Sequence, residues 1–114
     1  MRAQLVLAGM LLVGLVGCSS VGPPSNDIPS TIANALNPAD HQKIADYFAG
    51  KALAYEAEAA QHDLIARSYI NRTRGDSASM TSHCRALRDQ FLAAAKEARA
   101  LAHEHRQVAA KGGN

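Results

Sequence analysis

Tryptophan is absent and aromatics make up only 4% of the 114 residues, three tyrosines and two phenylalanines. The chain therefore lacks the bulky side chains with which sandwiches and barrels fill their cores, and an all-β fold is excluded. Proline is as scarce, four residues of which Pro38 is the last, so no proline beyond it interrupts a helix. Two cysteines, Cys18 and Cys84, cannot build a disulfide framework. Charge of one sign is also missing: twelve Lys/Arg against ten Asp/Glu leave +2, which excludes a polybasic nucleic-acid surface. No apolar run reaches the ~20 residues that span a bilayer. What is abundant is alanine, 23 residues, the best helix former and small enough for helices to approach closely.

The N-terminus has the architecture of an export signal. Arg2 precedes twelve apolar residues, Leu5 to Val16, a basic segment followed by a hydrophobic one. That run ends in Leu15-Val16-Gly17-Cys18, which resembles the lipobox of bacterial lipoproteins: a branched residue, a small residue, then cysteine. The resemblance implies cleavage before Cys18, a thioether-linked diacylglycerol on its sulfur and an acyl chain such as palmitate on its new amino group. Residues 1–17 would be the signal peptide, leaving 97 residues held on the bilayer. Several acyl chains, at ~0.8 kcal/mol per buried CH₂, make such an anchor effectively permanent. Ser19 replaces the aspartate that retains enteric lipoproteins in the inner membrane, so the resemblance favours the outer membrane, facing the periplasm.

Residues 18–37 read as a lipid-anchored tether. Ser19 to Asn26 is rich in Pro, Gly and Ser, too polar to form a core and able to reach at most ~28 Å. Ile28, Ile32 and Leu36 then predict a short amphipathic helix begun by Pro29.

From Pro38 to residue 110 the pattern predicts two long antiparallel helices, an Ala-rich coiled-coil hairpin, with 111–114 as a loose tail. Asn37-Pro38-Ala39-Asp40 is a helix start. His41, Ala45, Phe48, Ala52, Tyr55, Ala59, His62, Ala66 and Tyr69 follow at alternating spacings of four and three, an unbroken heptad seam that alternates alanine with large side chains. Asn71 to Ser77 carries turn-forming residues, and Ser77 or Ser79 can cap the next helix. A second seam predicts Met80, Cys84, Leu87, Phe91, Ala94, Ala98, Leu101, His105 and Val108, before Gly112 and Gly113 stop the helix. The two runs also form a loose repeat, His41 with His83, Phe48 with Phe91 and His62 with His105, which duplication or shared heptad constraints would produce equally.

Folding about a short loop predicts pairs whose numbers add to 146, among them His41/His105, Tyr55/Phe91 and His62/Cys84. A register one heptad away would place His62 against Phe91. A lone hairpin buries little, so further burial is expected from residues 28–36 or from a homodimer, a four-helix bundle formed through the stripe Leu53, Ala57, Ala60 and Leu64.

Two clusters could carry chemistry. His62, His83, Cys84 and Met80 near the loop offer imidazole, thiolate and thioether, ligands suited to Cu(I) or Zn(II). The competing reading is a packed seam with a small buried cysteine. At the open end His41, His105 and Glu104 could hold Zn(II), or a His could favour the negative end of the second helix. His103 falls on the solvent side. No Ser/His/Asp spacing, HExxH or glycine-rich phosphate loop is present, so no enzyme is expected. The mature region is similar to uncharacterised small helical-hairpin lipoproteins, a resemblance that supplies no function. The sequence thus points to a non-catalytic envelope lipoprotein acting as a structural or interaction module for an unknown envelope protein, with a periplasmic Cu/Zn-binding or buffering lipoprotein as the alternative.

Radiolabelled palmitate tests the anchor. The label should enter the native chain and be absent from Cys18→Ala, which accumulates as unprocessed precursor; label persisting in that variant refutes lipidation.

Overall fold

The computed structural model describes residues 28–72, 75 and 77–112, so the expected signal, Cys18 and the tether up to residue 27 lie outside the described residues. Three helices follow one another: α1 (Ile28–Ala33), α2 (Pro38–Ile70) and α3 (Ser77–Lys111). The fold is an all-α helical hairpin in which α2 and α3 pack along their lengths and α1 packs on α2 alone.

Residues around Pro38 start α2 as the sequence predicts. Asn37 has extended backbone at φ −135° and ψ 163°, and its side-chain oxygen accepts from the Asp40 amide at 3.0 Å. Asp40 answers by accepting from the Leu36 amide at 3.3 Å. Two otherwise orphaned donors are thereby satisfied, and a carboxylate sits at the positive end of the helix. At the far end Gly75 takes φ +101°, a conformation that costs any other L-residue Cβ strain. The next helix begins at Ser77 itself, so Ser77 and Ser79 lie inside its first turn and neither is the cap the sequence predicts. It continues through Lys111, and Gly112 donates back to the Val108 carbonyl at 3.1 Å.

The α2 seam is as expected. Ala45, Ala52, Ala59 and Ala66 are at most 2% exposed, with His41, Phe48, Tyr55, His62 and Tyr69 half-buried between them. On α3 the expectation is half right. Cys84, Phe91, Ala98 and His105 do face α2, but the intervening positions are Thr81, Arg88, Ala95, Ala102 and Ala109, buried or half-buried. Met80, Leu87, Leu101 and Val108 stand outside, 40–49% exposed. α2 already supplies the large side chains, and a seam this narrow accepts only small ones opposite them. The helix is accordingly rotated by about 50°, half of the 100° step per residue.

The register also falls between the two alternatives considered. Phe91 contacts both Tyr55 and His62, with ring centroids 6.2 and 5.4 Å away. His105 likewise lies between His41 and Phe48, at 5.2 and 6.3 Å. Each α3 ring is thus a knob seated over an alanine, Ala59 or Ala45, between two large α2 residues. Extending the register sets Cys84 over Ala66 and leaves His62 one turn from it. At the open end Gly112 lies close to α2's first residue, since a Cβ there would meet Pro38 Cγ at 3.2 Å.

On α1 only Ile28 is buried, 9% exposed; Ile32 is 45% exposed and Leu36, beyond the helix, 92%. Ile44 of α2 is fully buried. The Leu53, Ala57, Ala60, Leu64 stripe is exposed on the outer side of α2.

Ala52→Leu, Ala59→Leu and Ala102→Leu should each cost about 1–3 kcal/mol by wedging the helices apart. Ala54→Leu on the exposed side should cost little, and Leu101→Ala less than Ala102→Leu. Thermal melts rank the five; Leu101→Ala proving the costlier of the last pair would mean that α3 faces α2 through Leu101.

Candidate functional site

The seam's polar side chains gather in two places. At the open end, His41 from the first turns of α2 and His105 from the last turns of α3 meet as the sequence predicts. Their Nδ1 atoms are 3.0 Å apart and the half-buried rings meet edge to edge, with centroids 5.2 Å apart and planes inclined by 29°. Because a neutral imidazole has one donor and one acceptor nitrogen, this contact requires opposite tautomers. Phe48 covers the other side of His105. Glu104 is exposed and does not join them; Asp40 is engaged with the chain entering α2.

The loop-end cluster is not assembled as expected. His62 stacks on Phe91 at 11° and its Nδ1 is buried without a hydrogen-bond partner. Cys84 is a half-buried free thiol, one turn away by register. His83 and Met80 are exposed. Among the described residues no three His, Cys, Asp or Glu side chains are gathered so as to hold a metal ion. The half-heptad displacement of α3 accounts for this, because the expected meeting of His62 with Cys84 depends on a register that α3 does not adopt. His103 is exposed, as expected, its Nε2 accepting from Gln107 at 2.9 Å.

Two features escape a reading centred on histidine and cysteine. The first is a charged side of the hairpin. Arg99 donates through Nε to Glu56 at 3.0 Å, with a second, shorter contact from its terminal nitrogen. Arg88 reaches Asp63 across the helices at 3.2 Å and Asp89 at 2.8 Å, while Arg67 meets Asp63 at 2.7 Å. The hydrogen bond from Arg88 holds the Asp63 carboxyl below its ordinary value of 3.8 against the opposing effect of desolvation, with Arg67 adding to the lowering. Asp89 and Asp63 raise Arg88 in turn. The signal was present in the sequence as oppositely charged residues on the seam's flanks, but pairing them needs the register.

The second feature is on the opposite side, where Tyr47, Phe48, Lys51 and Tyr55 of α2 face Ala94 and Leu101 of α3 across a groove of about 300 Å³. Glu97 and Ala98 complete its lining, and Leu101 belongs to the misassigned α3 row whose other members Met80, Leu87 and Val108 share its heptad position. These residues are the apolar heptad row seen in the sequence; their exposure is what the sequence concealed.

No family model matches the chain, and no curated protein and no solved structure matches it. The functional reading accordingly rests on this chain's own residues.

Asp63 also generates a pH dependence. A carboxylate held lower in the folded state contributes stability above its unfolded pKa of ~3.9 and loses it as pH falls through the lower folded value. Asp63→Asn should therefore melt below the native chain at pH 7, with the gap closing as pH is lowered past ~4. A gap independent of pH would show that packing, not charge, is lost.

Proposed function

We propose that the chain is a non-catalytic envelope lipoprotein, anchored through Cys18 to the outer membrane and facing the periplasm, whose hairpin serves as a structural and protein-interaction module. Leu15-Val16-Gly17-Cys18 behind a twelve-residue apolar segment supports the anchor. Among the described residues no helix is long and apolar enough to cross a membrane; in this reading attachment is by acyl chains alone.

The observation that carries the interaction role is the difference between the hairpin's two sides. One is crossed by Arg99–Glu56 and Arg88–Asp63. The other carries four exposed large apolar side chains along one α3 stripe, of which Leu101 lines the groove with the half-buried rings of Tyr47, Phe48 and Tyr55. Contiguous apolar surface of this kind marks association sites. The occupant we assign is a second copy of the chain. Lys51 and Glu58 are exposed, one heptad apart on the groove side of α2 and opposite in charge. A two-fold axis crossing α2 between them sets each beside its opposite in the other copy, which is how flanking charges specify coiled-coil partners. The result is a four-helix bundle built on the groove side, not on the Leu53 and Leu64 stripe, because the groove side joins apolar residues of both helices.

The full chain in mild detergent should sediment as a dimer, Lys51→Glu should shift it to monomer, and Lys51→Glu combined with Glu58→Lys should restore the dimer. A native chain that stays monomeric, or a dimer indifferent to charge reversal, overturns this assembly.

A further inference from the structure

The exposed apolar row of α3 is symmetric along its own length. Met80, Leu87, Ala94, Leu101 and Val108 recur every heptad, four large side chains 40–49% exposed about a half-buried alanine at the centre. Reversed end to end, the row keeps its order of sizes: large, large, small, large, large. It is therefore complementary to an antiparallel copy of itself, Ala94 on Ala94, Leu87 on Leu101 and Met80 on Val108. Nothing else described covers it, because α1 packs on α2 alone.

Two hairpins stacked face to face about a two-fold axis lying between them, across the helices, set α2 antiparallel to α2 and α3 antiparallel to α3. One axis serves both pairs, so the centres of symmetry on the two helices must lie at one level. On α2 the opposite charges of Lys51 and Glu58 are centred between Ala54 and Tyr55. On α3 Ala94 stands three residues beyond Phe91, which packs between Tyr55 and His62 over Ala59, and is therefore level with Glu56. The two centres, one of charge and one of volume, coincide to within two residues, at most ~3 Å. The row at the outer edge of α3 obeys the same axis. His83, Gln90, Glu97 and Glu104 are exposed, and reversal about the Ala93–Ala94 step sets Gln90 beside Glu97 and His83 beside Glu104 of the second copy. Each carboxylate then meets a hydrogen-bond donor and not another carboxylate.

On the reading that a second copy covers the groove side, we propose that α3 aligns the pair: its apolar row packs antiparallel on the same row of the second copy, with the two-fold axis at Ala94. The alanine allows the two α3 helices to approach closely at their crossing. Leu87 of each copy then lies against Leu101 of the other, at the edge of the groove that Leu101 lines with Tyr47, Phe48 and Tyr55.

Site-specific disulfides test the alignment in the full chain in mild detergent, with Cys84→Ser as background. At the ~8–10 Å spacing of packed helices, Ala94→Cys brings the two thiols of a dimer within disulfide reach. Mild oxidation should link most of the chains, and peptide mapping should find position 94 on both sides of the bridge. Leu101→Cys alone should not link, because its two copies lie two heptads apart, about 21 Å. A mixture of Leu87→Cys and Leu101→Cys chains should link one to the other. Sedimentation of the reduced samples separates alignment from association. A dimer that fails to link through Ala94→Cys, or that links through Leu101→Cys alone, overturns this alignment and leaves the second-copy reading standing, whereas a monomer overturns both.

Discussion

Everything in this hairpin depends on how closely two helices can approach. Ala45, Ala52, Ala59 and Ala66 leave no side chain beyond Cβ on the line of contact, and Ala95, Ala98 and Ala102 answer from α3. At that distance the two backbones themselves contribute dispersion contacts, and a chain almost without large buried side chains still closes a continuous seam. Among the described residues Ile44 is the largest side chain buried completely. The closeness also imposes the remaining choices: a large residue on one helix requires a small one opposite, the rings must interleave, and the long apolar residues of α3 are left outside.

That exclusion explains what could be read from the sequence and what could not. In α2 the alternation of alanine with large side chains runs unbroken from His41 to Tyr69 and identifies the inward line, even though Ile44, Leu53 and Ile65 stand beside its alanines. In α3 each ambiguous step offers two neighbours, Met80 or Thr81, Leu87 or Arg88, Leu101 or Ala102, and hydrophobicity chooses the wrong one. Thr81 and Ala102 are selected by small volume and Arg88 by its ion pair with Asp63 across the helices, both properties of the partner helix that a single helical pattern does not contain. Register fails for a related reason. Loop length limits it to within a few residues, whereas the seating of Phe91 between Tyr55 and His62 decides it to half a heptad. The His41–His105 pair tolerates that displacement because both rings are long enough to meet obliquely. His62 and Cys84 do not, since the ring turns to Phe91 instead.

The hairpin consequently has two unlike sides. Cross-helix ion pairs that remain open to solvent contribute little individually to stability, so Arg99–Glu56 and the half-buried Arg88–Asp63 serve mainly to orient the helices and keep one side solvated. The apolar side receives the residues that the seam rejects. A surface for association thus follows from the same packing rule that builds the core: side chains too large for an alanine seam are displaced to its edge, where a partner can use them.

The approach of Gly112 to Pro38 has a mechanical meaning. It returns the end of α3 to the start of α2, so both termini of the hairpin emerge at one end while the turn lies about 50 Å away. A pull applied between those termini acts across the seam at its first layer instead of along its length. The helices then separate as a zipper opens, His41 from His105 first and the rings over Ala59 later, with only one layer resisting at a time. The same hairpin pulled from the turn against one terminus would be loaded in shear, with every interleaved ring resisting together. Its stiffness therefore depends on the direction in which it is loaded.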